Sequence, residues 1–205
     1  VDFRPKRVKP QFGATQINWG HPLAQGLRQV ILFNEGGGLP YSQGAINAPV
    51  SSIVAGTRTW QVTSAGAALL FASSVLGYGS ADIATGGAFS FLMIIRPDNL
   101  TQVAGIYQKR TSSGPSQQFS LGFNYVSTNN FSFEGGNGLS GFSYLFSTSG
   151  WSTTQMQTIV GTYDKNRGAG LRCLLWRNGV PITGPSVNIE NAADLGSVTT
   201  TIEVG

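Results

Sequence analysis

Any chemistry in this chain must come from a short inventory: nine carboxylates, one histidine, one cysteine and a run of three glycines. The carboxylates are Asp2, Glu35, Asp82, Asp98, Glu134, Asp164, Glu190, Asp194 and Glu203. Hydrolysis of a glycosidic bond needs two carboxyl groups about 5 to 10 Å apart across the scissile bond. A strand delivers such a pair when they stand two residues apart on one face, and no two of the nine have that spacing. His21 has no Cys, Asp or Glu near it in sequence. A His-Pro turn capping the fold is therefore favoured over a catalytic or metal role. Gly36-Gly37-Gly38 runs into Leu39-Pro40-Tyr41, whereas a phosphate-cradling loop ends in Gly-Lys-Ser/Thr and opens a helix. The glycines read as a turn. Nucleophilic triads assemble from distant residues, yet no Gly-x-Ser-x-Gly elbow is present. The residues predict no enzyme, no metal site and no cofactor.

Two other groups suit binding rather than catalysis. Tyr125, Asn129, Asn130, Tyr144 and Trp151 lie close together in sequence. Exposed, their rings would stack on sugars while the amides bonded hydroxyls. The alternation in Phe131-Ser132-Phe133 and Phe142-Ser143-Tyr144 argues instead for rings turned inward. The second group is Arg4, Lys6, Arg7 and Lys9, which with Asp2 give the first ten residues a net charge of +3 out of +4 for the whole chain. A nucleic-acid binder would carry its basic residues on a folded face with interleaved aromatics. A short basic arm suits docking on an acidic neighbour.

The elements that must position these residues are strands. Only 11% of residues are charged, against roughly 25% in ordinary soluble domains; Gly, Ser, Thr and Asn supply the polar surface. Residues 1–16 carry Pro5, Pro10 and Gly13 among the positive charges and read as an extended arm. After it, short apolar runs recur at intervals of about 10 to 14 residues, separated by polar loops such as 111–118, the rhythm of a sandwich or barrel. Strands are expected at 29–33, 58–62, 67–71, 76–78, 89–95, 104–109, 119–125, 131–134 and 142–146. The run 89–95, nearly all apolar, is expected in mid-sheet and covered on both faces. No amphipathic helix and no 18-residue apolar span is present, so no membrane crossing is expected.

The clearest stretch is 156–184. A strand at 156–163 leads through a Gly-rich reversal at 164–170 to a second strand at 171–177. Asn178-Gly179 then supplies the two positive-φ residues of a type I′ hairpin turn, and a third strand runs over 180–183. Pro181, lacking an N–H, belongs at an edge. Cys173 should be a small buried hydrophobe, and alone it forms no intramolecular disulfide. Trp60, Phe71, Phe91, Met93, Tyr107, Phe119, Ile159, Leu174 and Trp176 are the expected core.

Gly161-Thr162-Tyr163-Asp164 followed by the segment 174–184 resembles the laminin G-like, concanavalin A-type jelly-roll domain. The segments 89–97 and 29–38 are similar to that family's earlier strands and fall in its order. The opening Asn18-Trp19-Gly20-His21-Pro22-Leu23-Ala24, after a basic Pro-containing segment, resembles jelly-roll proteins encoded by tailed bacteriophages. The resemblance implies an all-β, antiparallel two-sheet sandwich over 27–205, preceded by an arm and turn over 1–26. It further implies a non-enzymatic virion structural protein, a capsid decoration protein foremost. The alternative is a carbohydrate-recognition module of a tail or fibre. Partners would be the major capsid protein or tail subunits, further copies of the chain, or a surface glycan, with the chain on the outer surface of the particle. Nucleic acid and membrane are not expected as partners. Some relatives carry calcium ligands where this sequence has 42–49 and Phe71-Ala72-Ser73, which lack any carboxylate. The resemblance also implies a strand after 199–205, beside 29–33. Its absence from the sequence predicts either a strand supplied by a neighbouring subunit or a longer natural chain.

Overall fold

The computed structural model describes residues 18, 20–32, 40, 42–43, 52–54, 56–63, 66–72, 75–78, 86–110, 117–124, 127–137, 139–191, 193–196 and 202–205. The basic arm, Trp19, the triple glycine and Tyr125 lie outside the described residues. In chain order the strands are β1 (Val30–Ile31), β2 (Ser42–Gln43), β3 (Ser52–Val54), β4 (Thr57–Thr63), β5 (Gly66–Ala72), β6 (Val75–Gly77), β7 (Ala88–Ile95) and β8 (Ala104–Arg110). They continue as β9 (Gln117–Phe123), β10 (Asn130–Gly136), β11 (Gly141–Ser147), β12 (Gln157–Asp164), β13 (Cys173–Arg177), β14 (Val180–Ile182), β15 (Ser186–Glu190) and β16 (Glu203–Val204). The only helical piece among them is a 3-10 turn at Pro22–Ala24.

The fold is an all-β antiparallel sandwich. One sheet has eight strands in the order β15-β11-β10-β9-β8-β16-β6-β3; the other has four, β14-β13-β12-β7. A β4–β5 hairpin and a β1–β2 pair complete the described strands. Strand periodicity makes the core. The alternate positions Phe119, Leu121, Phe123, Phe131, Phe133, Phe142, Tyr144 and Phe146 point from the large sheet at Ile159, Tyr163, Cys173 and Leu175 of the small one. Phe142 stacks on Tyr163 with ring centres 3.9 Å apart, and Phe89 meets Phe119 edge-on at 4.9 Å. Such pairs add about 0.5 to 1.5 kcal/mol each beyond area burial. A second cluster, Leu76, Tyr78, Ile202 and Val204, gathers Ile31, Leu69, Phe71 and Tyr107.

Several expectations hold. Asn178 and Gly179 take φ of 52° and 80°, as a type I′ turn demands. Pro181 sits on β14, the last strand of its sheet. Cys173 is fully buried, and its burial pushes the thiol pKa up. His21 is exposed and opens the Pro22–Ala24 turn, with its carbonyl accepting from Ala24 N at 2.8 Å.

Other expectations need correction. The apolar run 89–95 is not covered on both faces. β7 lies at the end of the four-stranded sheet, and Leu92 and Ile94 are 67% and 59% exposed. Of the expected core only Phe119 and Ile159 are fully inside; Trp60, Phe71, Phe91, Met93, Tyr107, Leu174 and Trp176 are half-buried. Leu174 and Trp176 alternate with inward Cys173 and Leu175, so they occupy the outer face. β9 ends at Phe123 rather than 125 because Asn124 turns into the left-handed region (φ 57°) and donates through Nδ2 to Leu100 O and Gln102 O. β1 pairs with β2 on one side among the described residues, while β16 lies between β8 and β6 inside the large sheet.

Candidate functional site

Of the sugar-binding candidates, Tyr125 lies outside the described residues, and the two described rings are turned into the core. Tyr144 is fully buried, and Trp151 is buried against Phe123 and Phe131, stacking on the latter at 5.4 Å. Neither ring offers a face to solvent. The inward reading of the Phe-Ser-Phe and Phe-Ser-Tyr alternation is the one the backbone realises, because inner positions of β10 and β11 face the small sheet. Asn129 takes φ 59° at the turn before β10, and the Asn130 amide donates to Thr128 O at 2.9 Å. Both asparagines serve the turn.

The densest polar cluster joins the two sheets at Glu190. This residue ends β15 in the large sheet, and its carboxylate accepts from Tyr144 Oη, from Gly170 N and from Arg172 Nη1, the last at 3.0 Å. Gly170 and Arg172 come from the reversal between β12 and β13. Hydrogen bonding from Tyr144, then from Gly170 N, with help from the Arg172 guanidinium, holds the Glu190 carboxyl below the usual range. Beside it, Tyr163 Oη donates to Ala193 O at 2.7 Å and accepts from Ala193 N at 3.1 Å; burial pushes its pKa up to about 12. Lys165 Nζ grips the Asp194 carboxylate at 2.7 Å. Together these contacts clamp Glu190, Ala193 and Asp194 across the end of the sandwich.

The remaining described carboxylates have similar employment. Asp164 Oδ1 accepts from Asn166 N at 3.0 Å and so orders the hairpin. Asp98 pairs with Arg96 at 3.3 Å, and Glu134, buried on the outer face of the large sheet, accepts from Ser143 Oγ at 2.8 Å. No group of three His, Cys, Asp or Glu among the described residues could hold a metal ion. An open cleft of about 260 Å³ lies beside the β13–β14 hairpin, lined by Ser147, Ser149, Arg177 and residues 180–183. Its guanidinium already donates to Ser149 O at 3.2 Å.

The feature that sequence reasoning missed is apolar. Cross-strand register places Leu92 of β7, Val160 of β12, Trp176 of β13 and Pro181 of β14 directly opposite one another on the outer face of the small sheet. Leu92 and Pro181 are exposed, and Val160 and Trp176 half-exposed. Ile94 flanks the row one step along β7. The sequence signal was present in 89–95, where the unbroken apolar stretch Phe91–Ile95 leaves hydrophobic residues at both sets of alternate positions.

Compared with known proteins, the chain matches no family model and no curated protein.

Proposed function

We propose that this chain is a non-enzymatic structural module of a tailed-phage particle, a capsid decoration protein. The observation that carries the reading is the apolar row on the outer face of the small sheet. Isolated surface hydrophobics are ordinary, but a contiguous row with a tryptophan in it belongs to an association surface. The carboxylates support the non-enzymatic half, since Asp98, Glu134, Asp164, Glu190 and Asp194 are engaged in local hydrogen bonds and ion pairs rather than paired across a cleft. The phage context rests on the resemblance of the segment 18–24 and of the jelly-roll motifs. In this reading the arm residues Arg4, Lys6, Arg7 and Lys9 dock on acidic ground of a neighbouring virion protein.

The test is a protein inventory of purified particles by quantitative mass spectrometry. The expected result is this chain at a fixed ratio to the major capsid protein, with deletion of residues 1–12 lowering that ratio. Its absence from particles would refute the proposal. Soluble turnover of a polysaccharide, abolished by Glu134→Gln, would refute its non-enzymatic half.

A further inference from the structure

We infer that the outer face of the four-stranded sheet is a homodimer interface, the occupant of the apolar row being the same row of a second copy. The inference deepens the assembly reading above by naming the partner.

Two properties of the face select a copy of itself. The first is charge. Outward positions alternate along each strand, and on β7, β12, β13 and β14 they carry one ionisable residue, Asp164, at the far end of β12. Asp164 is already engaged by Asn166 N and lies 3.9 Å from the Arg167 guanidinium. A two-fold contact brings each surface against itself, so like charges would face one another if the surface carried them. Here nothing repels. A strongly basic or acidic partner would equally find no complementary charge.

The second property is shape. The row reads Leu92, Val160, Trp176, Pro181 across four strands, a span of about 14 Å at the usual strand spacing. Consider a two-fold axis parallel to the strands and lying between β12 and β13. It lays the row against its own reverse: Leu92 meets Pro181 of the second copy, and Val160 meets Trp176. Each larger side chain then faces a smaller one, and the two tryptophans sit near the centre, where binding energy concentrates. Two sheets packed face to face at about 10 Å, near-aligned, need this kind of interdigitation.

Sedimentation equilibrium of the full chain, from low to high micromolar concentration, tests the inference. The expected result is a monomer–dimer equilibrium. Leu92→Arg should weaken the dimer by about thirtyfold or more, the effect of losing a hot spot. Because Leu92 is 67% exposed, its thermal melt at concentrations where the parent is monomeric should stay that of the parent. Ile94→Glu, on the flank of the row, should act in the same direction. A parent chain that stays monomeric throughout overturns the inference, and so does a dimer that both folded variants leave intact. A chain that dimerises through this face but is missing from particles would sink the virion reading alone. A virion-bound monomer would sink the dimer alone and assign the row to another protein.

Discussion

Glu190 does at the scale of one residue what the fold needs from a charge. Its carboxylate is shared by a tyrosine of one sheet and by the reversal of the other, so its protonation state bears on how the sheets are held together. The folded pKa lies below the unfolded value. Its contribution is therefore full above the ordinary glutamate range and drains away as the pH falls through the folded value. Glu190→Gln should lower the melting temperature near neutrality and flatten its decline as the pH falls below the ordinary glutamate range; melting curves from neutrality into acid check it, and an unchanged acid slope would count against the clamp. Trp151 makes a different prediction. Its ring is packed, yet the indole N–H is buried without a hydrogen-bond partner among the described residues. Trp151→Ala should cost about 3 to 5 kcal/mol. Trp151→Phe should cost distinctly less, because it also removes an unsatisfied donor; denaturant titration separates the two. Neither role was legible in the sequence. An aromatic beside asparagines looks the same whether it stacks on a sugar or on Phe131, and the partners of Glu190 come from strands far apart in the chain.

At the scale of elements, Gly161 shows why a particular strand has its composition. A Cβ at that position would stand 2.2 Å from the Phe91 ring, so β12 has a glycine where β7 lays an aromatic across it. Gly161→Ala should cost about 1 to 3 kcal/mol through overpacking. In a Phe91→Ala background the same change should cost almost nothing, and a double-mutant cycle measures the coupling; additive costs would mean the ring is not seated over Gly161. Much of this level was legible. The hairpin at Asn178-Gly179, the edge position of Pro181 and the inward Phe-Ser-Phe alternation follow from turn sterics and two-residue periodicity. The short strands β2, β3 and β15 do not stand out in the sequence; Val187 and Ile189 do alternate with polar neighbours, but over only five residues, and the segment is held by pairing with β11. The apolar run of β7 misled for a physical reason. Hydrophobic residues at both sets of positions mean that both faces avoid water, but the sequence does not say whether the second face is covered within the chain.

For the whole molecule, that second face is the main finding. The sandwich closes its core through cross-sheet aromatics and clamps its end at Glu190, Ala193 and Asp194, while leaving Leu92, Ile94 and Trp176 at the surface. An assembly protein with this design should stay folded when the outer row is altered and lose its contacts. Leu92→Arg should therefore reduce occupancy on particles without shifting the melt of the monomer. The central claim, that this is a virion module associating through the small sheet, is tested most directly by a cryo-electron microscopy map of the particle. The account predicts the sandwich on the outer surface of the shell, at symmetry-related positions, with the row from Leu92 to Pro181 buried in a contact. A particle whose density and protein content lack the chain would contradict it, as would a bound sandwich with that row facing open solvent.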